Sequence, residues 1–227
     1  MAIDWKILGA PGADNALLVT VDSGQSHDRL LFDCGEGCLS NLKPSEIQGI
    51  DHLFFSHFHM DHVSGFDTFF RHNYNRPDVP VQVWGPEGTL EILANRFRSF
   101  TWNLHADQSG EWIVRETKGN LIRGARFLTR EAFDAAHDLP EVHVDSSAIL
   151  RETEFTVESR PLPHHTIFSN AYLIRQSDSH NVSPEALASS GLKPGPWLQS
   201  LNMPSPEDTL VKVDGTEHRL GDLRDKL

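Results

Sequence analysis

The sequence predicts a layered α/β domain. Two observations carry that reading. Short apolar runs bounded by Gly-rich turns give way, between residues 52 and 100, to the order strand, turn, helix, strand, turn, helix. The chain of 227 residues, 38% hydrophobic and with 13 Phe, is also enough for one sizeable core, as one domain or one domain with an appendage.

The elements read in order. Residues 5–8 (WKIL), 15–21 (NALLVTV) and 29–33 (RLLFD) are strands, separated by the turn-rich segments GAPGAD and DSGQSHD. Residues 52–56 (HLFFS) are an apolar run of the kind found in a buried strand. A helix follows over 64–72, with Phe66, Phe69 and Phe70 at helical spacing and Ser64 as N-cap. Residues 81–84 (VQVW) form a strand. The segment 85–100 then continues as an amphipathic helix with Leu90, Ile92, Leu93 and Phe97 as its apolar side. Beyond residue 100, 111–116 and 125–129 read as strands, 130–138 as a short helix and 141–150 as another strand. Residues 153–165 form an alternating strand that ends on the pair His164–His165, and 170–176 is its partner. The composition then shifts toward Ser, Pro and Gly, which reads as a protruding arm, and Asp214–Gly215 signals a hairpin. The division is a domain over 1–176, an arm or insertion over 177–208, and a hairpin segment over 209–227.

The net charge of −12, from 20 basic and 32 acidic residues, argues against a broad nucleic-acid footprint, which needs clustered Lys and Arg. It leaves room for a local basic patch, or for a site whose positive charge comes from metal ions. Two cysteines, Cys34 and Cys38, argue against a disulfide framework and fit a reducing compartment; both read as small packing residues. The start has no basic region before an apolar stretch, and no run reaches the roughly 18 apolar residues of a membrane span. A soluble, cytoplasmic protein with no membrane partner is the expectation.

The chemistry concentrates in SHFHMDHVSG, residues 56–65, which places His57, His59, Asp61 and His62 within six positions. Neutral imidazole and carboxylate are good ligands for zinc, manganese or iron. A loop can curl these four side chains toward one point, and a regular helix cannot at that spacing. Split between two ions roughly 3.5–4 Å apart, they would suit a dinuclear site, which makes a nucleophile at neutral pH and stabilises charge building up at phosphorus. A merely His-rich polar loop is the plainer alternative. The pattern directly after an apolar strand, flanked by Ser56 and Gly65, favours metal.

That stretch resembles the H-x-H-x-D-H-x-x-G signature of the metallo-β-lactamase superfamily. LLFDCGEG at 30–37 is similar to the strand and turn of its ribonuclease Z branch, and the order of ILGAPGADN, LLFDCGEG, the histidine motif and VWGPEG is similar too. The resemblance implies an αββα sandwich and a metal-dependent phosphodiesterase, with two zinc ions in the complete site and manganese or iron as substitutes. It implies His57, His59 and His165 as ligands of one ion, His165 because it stands seven residues before Tyr172. Asp61 and His62 are implied in the shell of the second ion, with Asp61 also the general base. Asp33 and His164 are implied as supporting residues, Asp33 by holding the histidine loop or by capping the turn at Cys34–Gly35, two roles that are compatible. In the branch, an arm grips the elbow of transfer RNA across a homodimer. Here the resemblance implies Lys193, Gly195, Pro196 and Trp197, with Lys212, as the corresponding substrate contacts, although Asp178, Glu185, Glu207 and Asp208 weaken a phosphate grip; a solvated linker that only crosses between two halves of the fold is the alternative.

The family's later Gly-Asp-Thr turn and late histidines find no match after Val211, so the sandwich is expected to be incomplete at the C-terminus. A fragment of a longer hydrolase, a second half from another chain, and a degenerate one-metal protein are the three accounts. The clean loss at one end favours the first, and full activity is not expected of this chain alone. The leading function is removal of the 3′ trailer from precursor transfer RNA. The alternatives are a small-molecule or cyclic-nucleotide phosphodiesterase, favoured by the acidic charge, and a non-catalytic metal-binding fragment.

Overall fold

The computed structural model describes residues 2–24, 26–144, 146–177, 182–203 and 205–227. It divides into two units, Met1–Leu150 with Val157–Leu173, and Arg151–Thr156 with Ile174–Leu227.

In the first unit, β1 (Ala2–Gly9), β2 (Asn15–Asp22) and β3 (His27–Phe32) form an antiparallel meander. β4 (His52–Phe54), β5 (Val81–Pro86) and β6 (Glu111–Lys118) extend the sheet in parallel, and β7 (Leu121–Leu128) returns antiparallel. The short strands β8 (His137–Asp138) and β9 (Val142–His143) both pair with β7. Parallel neighbours need crossovers. These run through α1 (Pro44–Gln48) before β4, α2 (Met60–Val63) and α3 (Phe66–Asn73) before β5, and α4 (Thr89–Phe97) before β6.

The register explains the core. Leu31, Leu53, Val83 and Val114 are direct partners across β3 to β6, so they share a face, and all four are fully buried. That face joins one hydrophobic core with Phe66, Phe69 and Phe70 of α3 and Leu93 and Phe97 of α4. The opposite face carries Phe32, Phe54 and Trp84, whose rings stack at 4.8 and 6.1 Å. A three-stranded sheet of β10 (Ala148–Arg151), β11 (Phe155–His164) and β12 (Ile167–Gln176) follows. From β12 the Tyr172 ring lies against Phe32 and Phe54, at 5.5 and 5.3 Å. Helices, large sheet and hairpin therefore stand as successive layers.

The second unit has its own small core of Leu201, Val211, Val213, Leu220 and Leu223. It contains α5 (Pro184–Ser190), a 3-10 helix over Pro196–Asn202, β13 (Leu210–Val213), β14 (Thr216–Arg219) and α6 (Leu220–Lys226). Asp214 and Gly215 turn the expected hairpin with left-handed φ of 49° and 88°. Asp178 lies outside the described residues. No helix among the described residues is long and apolar enough to cross a membrane.

Four local expectations are corrected. Ser64 does not cap α3; Gly65 holds that position, and the Ser64 hydroxyl donates to the Met60 carbonyl one turn back. Ile92 is 36% exposed, because α4 buries Thr89, Leu93, Ala94 and Phe97 instead. The helix expected over 130–138 is only a 3-10 turn over Thr129–Glu131. Ala132 and Phe133 take left-handed φ of 55° and 57°, which ends it and turns the Phe133 ring into the core against Phe97 at 4.9 Å. Burial of one aromatic ring outweighs local helix propensity here. The strand expected over 141–150 is split between β9 and β10, in two different sheets.

One buried group links this core to pH. His52 is 4% exposed, and its Nδ1 accepts a hydrogen bond from Trp84 Nε1 at 3.3 Å, so the ring is the neutral Nε2–H form. Burial, with Arg115 and Arg76 adding to it, pushes its pKa down to about 4. Between pH 6.5 and about 4 the unfolded chain takes up a proton that the folded chain refuses, so stability falls with pH across that window. The loss is at most about 3.4 kcal/mol. His52→Asn keeps an acceptor near Nδ1 and cannot titrate. Thermal melts are expected to show it gaining on the wild type below pH 6.5, and a pH-independent difference would refute the account.

Candidate metal centre

The site is built where β4 leaves the sheet. Phe55 still pairs with β5, its N–H donating to the Trp84 carbonyl at 2.8 Å. The chain then bends through 56–59 and closes into the single helical turn of α2, which carries Asp61 and His62. The turn after β3 clamps this loop. Cys34 N–H donates to the His62 carbonyl and Gly65 N–H to the Cys34 carbonyl, both at 2.8 Å. A Cβ on Gly65 would lie 2.2 Å from the Gly35 carbonyl oxygen, which is why the motif ends in glycine. Cys34 and Cys38 are buried and unpaired. Burial pushes both thiols up, so neither offers a thiolate.

Asp33 organises the loop from the end of β3. It sits at a left-handed φ of 57°, a conformation Asp tolerates better than most residues. Its Oδ1 accepts from Ser56 N–H at 2.7 Å, and its Oδ2 accepts from Ser56 Oγ at 2.8 Å and from His62 Nδ1 at 2.7 Å. Because the Ser56 hydroxyl donates to Asp33, its oxygen accepts from His57 Nδ1 at 3.0 Å. Both imidazoles therefore carry their proton on Nδ1 and leave Nε2 open, the arrangement by which a carboxylate prepares histidine ligands. Burial, then His62 and His59, hold His57 below its ordinary pKa and keep it neutral. The bond to Asp33 raises His62.

Ring nitrogens of His57, His59 and His164 lie within 4.8 Å of one another. Ligand atoms of a tetrahedral zinc at about 2.0–2.1 Å stand about 3.3 Å apart, so these rings would have to draw closer together to close around an ion. Three imidazoles from two elements are a donor set that fits a divalent cation. The ring of His62 lies 4.1 Å from that of His57, and its Nε2 is 3.5 Å from Asp61 Oδ2. The Asp61 side chain is 61% exposed.

Of the two later histidines, the structure groups His164, and not the expected His165, with His57 and His59. β11 runs through His164, and His165 with Thr166 forms a two-residue turn into β12. His165 has a left-handed φ of 52° and is exposed; its ring is 5.1 Å from that of His164 but outside the three-nitrogen group. Counting back from Tyr172 lands on the turn residue, one position past the end of the strand, where His164 stands in the three-nitrogen group. Sequence reasoning also missed Ser56 and Asn170. Asn170 N–H donates to the Ser56 carbonyl at 2.8 Å, and Tyr172 Oη–H to the Phe55 carbonyl at 2.8 Å. The arm residues belong to the second unit. Lys193 N–H donates to Asp214 Oδ2, Trp197 Nε1–H donates to the Lys193 carbonyl, and the Trp197 ring packs on that unit's core. Gly195 is extended, Pro196 opens the 3-10 helix, and Lys212 lies on β13.

Comparison with known proteins gives the family. A model of the beta-lactamase superfamily domain matches residues 28–165. The chain is 40% identical to ribonuclease Z of Deinococcus radiodurans, over 97% of this chain and 65% of that one. It is 24% identical to ribonuclease Z of Pyrococcus horikoshii, over 84% of this chain and 52% of that one. A solved structure of human tRNase Z, short form, aligns with 20% identity and a TM-score of 0.44, covering 78% of this chain and 65% of that one. The chain thus spans between half and two thirds of the length of these curated relatives.

Proposed function

The chain belongs to the beta-lactamase superfamily, and from that premise we propose that it carries the metal centre of a zinc-dependent phosphodiesterase of ribonuclease Z type. The proposed reaction is hydrolytic removal of the 3′ trailer from precursor transfer RNA. One observation carries the reading: three imidazoles converge on the loop after β4 in a chain 40% identical to a ribonuclease Z.

In this reading His57, His59 and His164 hold one divalent cation, and Asp61 and His62 offer donors to a second. When bound, such cations supply Lewis acidity, lowering the pKa of water and screening charge that develops at phosphorus. Asp33 fixes the tautomer of His62 directly and that of His57 through Ser56. Asp61, the exposed carboxylate of the loop, takes the proton of the attacking water at Oδ2. Lys193, Gly195, Pro196 and Trp197 would contact the RNA from the second unit. The homodimer and cytoplasmic location implied by the resemblance belong to the same proposal, and the two free thiols fit a reducing compartment.

The test is cleavage of a precursor transfer RNA transcript with added zinc or manganese. Cutting at the trailer junction, abolished by chelator and by His57→Ala, is the expected result. Turnover of bis(p-nitrophenyl) phosphate without precursor cleavage would replace this substrate with a small phosphodiester, a reading the net charge of −12 favours. Absence of both activities with zinc bound would leave a non-catalytic metal-binding chain.

A further inference from the structure

Cys34 and the Asp33 network hold one side of the metal loop, through β3. The other side is held from a different layer. His164 stands on β11, while His57 and His59 stand on the loop after β4, so the three nitrogens meet only if the β11–β12 hairpin lies in one register against that loop. Hairpin position is not fixed by β4, whose own pairing partners are β3 and β5.

Two residues of β12 join the layers. Tyr172 Oη–H donates to the Phe55 carbonyl at 2.8 Å, and Asn170 N–H donates to the Ser56 carbonyl at 2.8 Å, so successive carbonyls just ahead of His57 are both taken by the hairpin. The Asn170 side chain ties the pair together. It is 4% exposed, and its Nδ2 donates to Thr117 Oγ1 at 3.0 Å and toward Tyr172 Oη at 3.4 Å. Thr117 lies on β6, so the clasp is also anchored to the large sheet. The Tyr172 ring wedges against Phe32 and Phe54, which leaves its hydroxyl little freedom. Beyond the clasp, the hairpin runs back through its two-residue turn to His164, whose ring reaches 4.7 Å from that of His57 and 5.2 Å from that of His59.

We propose that Tyr172 and Asn170 are positioning residues that set the register of the hairpin against the histidine loop, and so decide whether His164 completes the three-nitrogen set. The proposal rests on the reading of His57, His59 and His164 as metal ligands. Neither residue belongs to the three-nitrogen group. Each acts through a backbone carbonyl of the loop, a more distant form of the support by which partners of metal ligands govern affinity.

The experiment uses cobalt(II), whose visible absorption reports coordination number and ligand type, beside zinc competition and thermal melts. The variants are Tyr172→Phe, which deletes one hydroxyl and keeps the ring, and Asn170→Ala. In the wild type an intense four-coordinate spectrum is expected. In Tyr172→Phe the expectation is a weaker, higher-coordinate spectrum and zinc affinity reduced about tenfold to a hundredfold, with a melting temperature within a few degrees of wild type. Asn170→Ala keeps the backbone bond to Ser56 and is expected to lose less. His164→Ala made in the Tyr172→Phe background should cost less than it does in the wild type, since Tyr172→Phe has already weakened the same ligand. Wild-type spectrum and affinity in Tyr172→Phe would overturn the positioning role while leaving the metal reading intact. Absence of any cobalt spectrum in the wild type would instead overturn the metal reading itself.

Discussion

Replacing His164 with alanine is expected to weaken zinc binding at least ~100-fold, and replacing His165 to leave it within about threefold of wild type. The lower bound follows from scale: losing a partner that merely orients a ligand costs about 10–100-fold, so losing the ligand sits at or above the top of that range. The asymmetry between two adjacent histidines is the sharper part. On a strand, neighbouring side chains project to opposite faces. β11 continues to His164, which places that ring with those of His57 and His59. His165 has already left strand geometry, with φ at 52° in the turn. Competition against a chromophoric chelator measures both affinities on one scale. Equal losses would mean that the turn remodels on binding metal, and a larger loss in His165→Ala would reverse the assignment.

The same pair shows how far the sequence could be read. His57, His59, Asp61 and His62 were visible because four donor side chains crowd six positions, a density that packing does not require. β2 to β5 were visible because each holds a short apolar run near turn residues, and α4 because its apolar residues recur at helical spacing. Telling which of His164 and His165 stands beside His57 and His59 needed the length of the hairpin turn, a matter of one residue that composition and periodicity do not register. The support of Ser56 and Asn170 was hidden for a different reason. Each acts largely through backbone N–H and C=O groups, which every residue possesses, so no side-chain pattern announces it. The region 130–138 misled because local helix propensity was sound and a tertiary demand, burial of Phe133, overrode it. Asp33 lay between these cases. Its place at the end of an apolar strand was legible, and its hold on two histidines at once was not.

Stability is a separate question from the site, and Phe97 tests it. Phe97→Ala is expected to cost about 3–5 kcal/mol, read as a shift of the denaturation midpoint with an unchanged slope. Phe97 is fully buried at the end of α4. Its ring lies 4.9 Å from Phe133, 5.1 Å from Phe70, 5.3 Å from Trp112 and from Phe127, and 6.1 Å from Phe66. These partners come from α3, β6, β7 and the segment after the 3-10 turn, so no single element can move to fill the void, and the cavity cost adds to the lost transfer energy. Ile92, on the same helix and 36% exposed, supplies the control, with a cost expected below about 1 kcal/mol for Ile92→Ala. None of these five rings hydrogen-bonds to Asp33, Ser56 or the histidines, and the core they form lies on the helix side of the large sheet. Zinc affinity of folded Phe97→Ala is therefore expected to match wild type. A parallel loss of affinity would show that helix-side packing holds the metal loop in place, and that the Asp33 and Tyr172 anchors are not sufficient by themselves.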